Sequence, residues 1–365
     1  MPLNYVASPT AVEQGIYTAY AALGAMAIVP IYFGSFASLK KWKNPEDKTR
    51  TAKRQLDDVH NLDEDLAAEN VSLMDAYTFP VLGSLTVLGL HYLLMHFDKT
   101  YVNFGLTSYF CVFGLMATSL VGVNVLEFIA KALGIKTERW HLNLVRKPKV
   151  MLVASVLLSG YYAVTKSWIA SNIFGVCFAL STVQVLSLDS FKTGMVLLVS
   201  FFFYDLYWAS GNEILAIVTK NLDAPIKVVF PRLLLGLPAG QAYKFMALGL
   251  GDIVIPGLFV ALCLRYDQHR AGMKNTTLGR STRFHKPYFI ACLVAYILGL
   301  SSMYYITHVT KTTQPALMYL APACIISVLM TAMVRGEIKQ VFAYVSEEGI
   351  IAAKRKKEAA ERKRR

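Results

Sequence analysis

The sequence predicts an all-α polytopic membrane protein with nine transmembrane helices, and three observations carry that expectation. The chain of 365 residues is 55% apolar and only 17% charged, with a mean hydropathy of +0.42, whereas a soluble domain carries about 25% charged residues. The missing charge is concentrated in long apolar stretches, and a bilayer-crossing helix needs roughly 20 such residues. The basic residues collect in alternate segments between those stretches. Lipid offers the backbone no hydrogen-bonding partner, so every span is expected to be helical.

The spans follow in chain order. The first, 14–36, comes after thirteen residues without Lys or Arg; the positive region of a cleaved signal peptide is missing, which suits an anchor. The second and third cover 73–97 and 103–125. The fourth and fifth, 149–165 and 168–188, are divided only by Lys166 and its neighbours. The remaining spans are 193–212, 243–264, 288–309 and 314–334. Segments 37–72, 126–149, 189–192, 265–287 and the tail hold 30 of the 37 Lys and Arg residues, and the opposite segments hold six. The positive-inside rule therefore puts the N-terminus, residues 1–13, in the lumen and the C-terminus in the cytosol. Two sequons, Asn70-Val71-Ser72 and Asn275-Thr276-Thr277, then fall on the cytosolic side, where they are not glycosylated.

Segment 37–72 pairs a basic half (Lys40 to Arg54) with an acidic half (Asp57 to Glu69), the composition of a solvated, partly disordered loop. Segment 211–242 is apolar, with Pro225, Pro231 and Pro238; it reads as a lumenal connection, and whether it gates a substrate stays open. The tail ends in Arg362-Lys363-Arg364-Arg365, similar to a dibasic retrieval signal for the endoplasmic reticulum. Its basic clusters suit anionic lipid.

The net charge of +13 invites a nucleic-acid reading, but no basic-aromatic patch or nucleic-acid module accompanies it. The cysteines Cys111, Cys177, Cys263, Cys292 and Cys324 all lie in apolar stretches without metal-ligand spacing, so they read as small apolar fillers. No nucleophile elbow, zinc-binding His-Glu-x-x-His or phosphate loop occurs, and no cofactor is expected.

Two carboxylates are out of place. Asp205 lies in Phe201-Phe202-Phe203-Tyr204-Asp205-Leu206-Tyr207-Trp208, and Asp252 in Leu248-Gly249-Leu250-Gly251-Asp252-Ile253-Val254. A charge at the centre of a membrane helix costs about 2.5–3.5 kcal/mol on insertion scales, so such residues are functional by default. Counted as helix from the lumenal ends of their spans, the two lie at roughly 10 and 14 Å depth, on antiparallel neighbours. Ala247 and Gly251 form a small-xxx-small pair suited to close helix approach. Pro256 cannot donate the helical bond to the Asp252 carbonyl, which should loosen the helix at the carboxylate. Two carboxylates held together share a proton; the ionised one can activate water while the protonated one polarises a peptide carbonyl. From charge placement alone, a proton relay in a transporter or channel competes with proteolysis.

Three motifs bear on that choice. Tyr204-Asp205 in one span, Gly249-Leu250-Gly251-Asp252 in the next, and Gln314-Pro315-Ala316-Leu317 opening the last resemble, in order and placement, the motifs of the signal peptide peptidase and presenilin family of intramembrane aspartyl proteases. The segments Lys166–Gly175, Ala224-Pro225-Ile226-Lys227 and Asp252-Ile253-Val254-Ile255-Pro256-Gly257 look like the signal peptide peptidase branch, and the resemblance is closest over about 160–345. The long cytosolic loop that presenilins cut on maturation is absent, so the resemblance implies an uncleaved chain. It also implies a presenilin-like fold in which residues 14–188 form five N-terminal helices, 189–334 the four catalytic helices, and 335–365 a basic cytosolic tail. Asp205 and Asp252 would be the catalytic aspartates, with Gly249, Gly251 and the Pro315-Ala316-Leu317 turn shaping the site and substrate entry. The implied partners are the lipid bilayer and transmembrane peptides in type II orientation, such as signal-peptide remnants; a homo-oligomer stays open. Beside the protease and the relay stands a third reading, a non-catalytic binder in membrane-protein quality control.

Overall fold

The computed structural model describes residues 9–39, 69–132, 147–209, 213–222, 224–232, 245–274, 284–346 and 349–350. Its elements, in order, are α1 (Pro9–Ala37), β1 (Glu69–Val71), α2 (Leu73–His96), α3 (Lys99–Ala132), α4 (Lys147–Thr165), α5 (Trp168–Val185), β2 (Leu186–Leu188), α6 (Phe191–Ala209), α7 (Glu213–Asn221), β3 (Lys227–Pro231), β4 (Phe245–Gly249), α8 (Leu250–Lys274), α9 (Pro287–Thr310), α10 (Leu317–Arg335) and α11 (Ile338–Ala343). Among the described residues, six stretches of helix are long and apolar enough to cross a membrane: Glu13–Ala37, Leu73–His96, Lys99–Val125, Trp168–Val185, Pro287–Thr310 and Leu317–Arg335. The chain is a helical, polytopic membrane protein. The helices that bear Asp205 and Asp252, α6 and α8, are not among the six: Lys192 and Asp205 interrupt the apolar character of one, and Asp252, Arg265 and Asp267 that of the other.

Local chemistry sets several boundaries. Before α2, the backbone N–H and hydroxyl of Ser72 both donate to Asp75 Oδ2, at 2.8 and 2.7 Å; the return of the Asp75 carboxylate to the Ser72 N–H is one half of a capping box. Ser190 Oγ accepts the Thr193 N–H at 3.3 Å and so caps α6. Pro287 opens α9 at a position where its missing N–H costs nothing. At the end of α10, Gly336 adopts φ +66°, and the N–H groups of Gly336 and Glu337 return to the carbonyls of Met333 and Ala332, closing the helix as a Schellman motif does.

The chain divides into two compact units. The first comprises Met1–Pro30, Gly83–Ser181 and Tyr207–Val254. In it α3 packs along α4, and Tyr162, Ala170 and Phe174 form a buried cluster. Asn103 Nδ2 donates to the Asn221 carbonyl at 3.0 Å and Lys99 Nζ to Asn221 Oδ1 at 2.8 Å, fixing the short helix α7 to the start of α3. The antiparallel pair β3–β4 belongs to this unit.

The second unit comprises Ile31–Leu82, Thr182–Leu206 and Ile255–Arg365. Here α9 packs along α10, with Tyr288, Tyr296, Leu320 and Cys324 fully buried. Strands β1 and β2 pair in parallel, Glu69 opposite Leu186 and Val71 opposite Leu188. Val345 bridges Ser190, and the Ser346 N–H donates to the Asp189 carbonyl at 2.7 Å. A polar network ties the ends of α8, α9 and α10. Arg270 pairs with Glu337, Tyr288 Oη donates to Glu337 Oε2 at 3.0 Å, and Arg335 lies 3.6 Å from that oxygen. Buried Asp267 accepts the Phe289 N–H at 2.9 Å.

Several expectations are corrected. The seventh span is not helical from 243: residues 245–249 are β4, and helix begins only at Leu250. β3 satisfies the inner edge of this strand. The helical depth of about 14 Å for Asp252 therefore does not hold. The fifth span ends in strand β2, at 186–188. Segment 211–242 is more than a connection, since it contains α7 and β3. The end of segment 37–72 is strand β1, with Asn70 Oδ1 buried; residues 40–68, Asn275 and the last fifteen residues lie outside the described residues.

Candidate active site

Asp205 is carried near the end of α6, just after the largely apolar run Met195–Phe203, of which Leu197 and Leu198 are buried. Among the described residues no cation pairs with its carboxylate. Asp205 Oδ2 accepts the backbone N–H of Leu317 at 3.2 Å. Leu317 is the first residue of α10, and Ala316, at the N-cap, has no side chain to offer. The first N–H groups of a helix have no partner within it and carry the positive end of its dipole. Asp205 thus supplies from another helix the cap that Ala316 lacks. Pro315 restricts the backbone just before that point, and Ala316 and Leu317 are buried. Gln314 faces the other way, its Nε2 donating to Thr312 Oγ1 at 2.9 Å. Tyr204, half-buried beside Asp205, meets the Phe201 ring edge-on at 5.7 Å.

Asp252 is held differently. The strand β4 runs directly into α8, so Asp252 occupies the first helical turn. The strand is registered by β3, with Lys227 opposite Gly249 and Val229 opposite Ala247. The Leu250 N–H continues the pattern onto the Ile226 carbonyl at 3.0 Å. A Cβ on Gly249 would lie 3.0 Å from Asp252 Oδ2; hydrogen in that place lets the carboxylate fold back over the strand end. Gly251 has no such duty, since a Cβ there would meet nothing within 4 Å. The expected Ala247–Gly251 pair also fails: Ala247 is in strand and Gly251 in helix, so they do not share a helix face. Leu250 packs beneath α5, within 3.4 Å of where Gly175 would carry a Cβ.

The structure therefore joins Asp205 to the Pro315-Ala316-Leu317 segment within the second unit, and Asp252 to Gly249 within the first. Helices α6 and α8 also touch inside the second unit, where the Phe191 and Phe259 rings meet at 6.0 Å, perpendicular to each other. The residue that sequence reasoning did not single out is Asn172 on α5. Its amide bonds both the N–H and the C=O of Val229 in β3, and its signal was a carboxamide inside an apolar span.

Comparison with known proteins places this geometry. The family model described as signal peptide peptidase matches residues 63–348. The signal peptide peptidase of Homo sapiens is 34% identical over 362 residues, covering 94% of this chain and 87% of the human protein. The mouse signal peptide peptidase is 35% identical with the same coverage.

The chain belongs to the signal peptide peptidase family.

It is accordingly an intramembrane aspartyl protease, and the relay and the silent binder fall away. A probable intramembrane protease of Schizosaccharomyces pombe is 30% identical over 325 residues, covering 89% of this chain and 94% of its own. The family match spans both aspartate-bearing helices, the β3–β4 pair and α10.

Proposed function

We propose that Asp205 and Asp252 are the acid–base pair of this protease, and that it cleaves transmembrane segments in type II orientation, signal-peptide remnants among them, within the bilayer. The observation that carries the reading is the bond from the Leu317 N–H to Asp205 Oδ2: an intramembrane carboxylate and the opening turn of α10 meet across 112 residues of chain. A backbone donor fixes one carboxylate oxygen and leaves the other for water or a peptide carbonyl.

The chemistry needs no group beyond the pair. The ionised aspartate takes a proton from water as the water oxygen attacks the scissile carbonyl carbon. The protonated aspartate gives its proton to the carbonyl oxygen, and a gem-diol forms. Proton return to the nitrogen then breaks the carbon–nitrogen bond. An intact helix hides its peptide bonds, so the substrate must first unwind. Strand edges bind extended peptides through main-chain hydrogen bonds, and among the described residues β4, leading into Asp252, pairs with β3 alone.

The finer architecture belongs to the same proposal: nine spans in a presenilin-like arrangement, residues 189–334 as the catalytic part, a lumenal N-terminus and a cytosolic C-terminus. What supports it is the distribution of Lys and Arg, and the tail suits residence in the endoplasmic reticulum membrane. The test is reconstitution in liposomes with a type II signal-peptide segment. Cleavage by the parent protein, lost in both Asp205→Asn and Asp252→Asn, is expected. Undiminished cleavage by either variant would remove the pair.

A further inference from the structure

Three of the five cysteines meet. Cys263 on α8, Cys292 on α9 and Cys324 on α10 are each fully buried and all lie in the second unit. The Cys292 thiol is in hydrogen-bonding contact with the thiols of Cys263 and Cys324 and with the Ser327 hydroxyl. Cys111 and Cys177, only partly buried, belong to the first unit.

The helix packing fixes this meeting independently of the thiols. Helices α8 and α9 run antiparallel: the Phe289 N–H donates to Asp267 Oδ2 at 2.9 Å, and the Tyr266 and Tyr288 rings meet edge-on at 5.0 Å. About one turn further in on each helix stand Cys263 and Cys292. Helices α9 and α10 are antiparallel too, touching from Tyr288 at Glu337 to Gly299. A Cβ on Gly299 would stand 3.2 Å from the Tyr319 carbonyl oxygen and 3.3 Å from Ala323 Cβ, so glycine brings the two helices close. Cys292 lies between those contacts, about two turns before Gly299. Cys324 and Ser327, three residues apart, present one face of α10 to it.

Thiols in contact have a chemistry that apolar fillers lack. A peroxide, ROOH, gives one oxygen to the Cys292 sulfur, which becomes a sulfenic acid, and leaves as ROH. The sulfur of Cys263 or Cys324 then attacks, its proton leaves with the sulfenic oxygen as water, and a disulfide forms. The third thiol can displace either partner, moving the bond without further oxidant. Either bond ties α9 to a helix of the active site: α8, which carries Asp252, or α10, whose Leu317 N–H holds Asp205. The S–S length of about 2.05 Å is far shorter than a hydrogen-bonded contact between thiols, and a close-packed core transmits the strain of closing it. Burial shields the cluster from bulky thiol reagents. Hydrogen peroxide needs little more room than the water that hydrolysis itself consumes.

We propose that Cys263, Cys292 and Cys324 form a redox site: a peroxide joins Cys292 to one of its two neighbours, and the bond slows proteolysis until a thiol reductant breaks it. The effect on cleavage rests on the reading that Asp205 and Asp252 carry the chemistry.

The test uses the full chain in detergent, treated with hydrogen peroxide, unfolded in N-ethylmaleimide to block the remaining thiols, and digested without reductant. Mass spectrometry should find a linked pair of peptides, one containing Cys292 and the other Cys263 or Cys324, that dithiothreitol separates. A map with no linked pair containing Cys292 overturns the proposal, and this arm needs no variant. Cleavage of a type II signal-peptide segment by the oxidised parent should fall at least about fivefold and return with dithiothreitol. Cys292→Ala and Cys292→Ser should each keep their own untreated rate after peroxide. A loss in these variants as large as the parent's, or a mapped bond that leaves the parent's cleavage unchanged, also overturns the proposal. Failure of the aspartate pair would show separately, as cleavage by Asp205→Asn or Asp252→Asn, with the disulfide map unchanged.

Discussion

Asp267 lies on α8 beyond its apolar stretch and carries a pH-dependent cost that can be measured. Its side chain is fully buried, Oδ2 accepts the Phe289 N–H at 2.9 Å, and Oδ1 stands 4.0 Å from Arg270. Burial pushes its carboxyl from the ordinary 3.8 up to about 7, against the opposing pull of the Phe289 N–H and the Arg270 charge. Between those two values the folded protein holds a proton that the unfolded chain has released. The slope of stability with pH is then negative. The contribution is fully present below 3.8, declines as pH rises, and is gone above about 7. Across that window, at about 1.4 kcal/mol per pH unit, it amounts to at most about 4 kcal/mol. Asp267→Asn keeps an acceptor for Phe289 and cannot ionise. Thermal unfolding in detergent, followed by tryptophan fluorescence at about pH 4.5 and about pH 8, separates the two forms. Between those conditions the loss is about 3.4 kcal/mol, so relative to the variant the parent should lose about 7–14 °C, taking 2–4 °C per kcal/mol. Parallel pH dependence in the two proteins would show that Asp267 does not titrate between its unfolded and folded values.

The two glycines of the Gly-Leu-Gly-Asp motif should behave differently. Gly249→Ala sets a Cβ 3.0 Å from Asp252 Oδ2 and should lower kcat/KM by at least about tenfold, whereas Gly251→Ala meets nothing and should stay within about threefold of the parent by the same assay. Leu317→Pro deletes the donor to Asp205 at a position that helices accept in proline; loss of a bond to a charged group, roughly 1.5–3 kcal/mol, predicts a fall in kcat/KM of about ten- to a hundredfold. Arg270→Met strands Glu337 in a largely buried pair and should cost about 3 kcal/mol in thermal unfolding, while Arg270→Met with Glu337→Leu should recover much of it.

The parts of the fold legible in the sequence were those decided by composition. Helices such as α2, α9 and α10 are long apolar runs, and their observed bounds lie within a few residues of the expected ones. Asp205 and Asp252 stand out in the sequence for the same reason, as charges in the wrong solvent. The strand at 245–249 was not. Phe-Met-Ala-Leu-Gly is apolar in either conformation, and its partner lies in an upstream segment rich in proline. What decides for strand is the pairing with β3 and the amide of Asn172, both set by tertiary structure. The partner of Asp205 was hidden in another way, because a backbone N–H has no letter in the sequence. Likewise, Arg270 and Glu337 read as loop charges until the ends of α8, α9 and α10 bring them together with Tyr288.

The central claim is that the carboxylates of Asp205 and Asp252 work as one pair, and bridging them tests it most directly. The five native cysteines are first replaced, and cleavage by that background is verified. Asp205→Cys and Asp252→Cys are then introduced together and treated with a short thiol-bridging reagent such as dibromobimane. A bridged product is expected, a peptide containing residue 205 linked to one containing residue 252. Two thiols that each react singly and never bridge would contradict it.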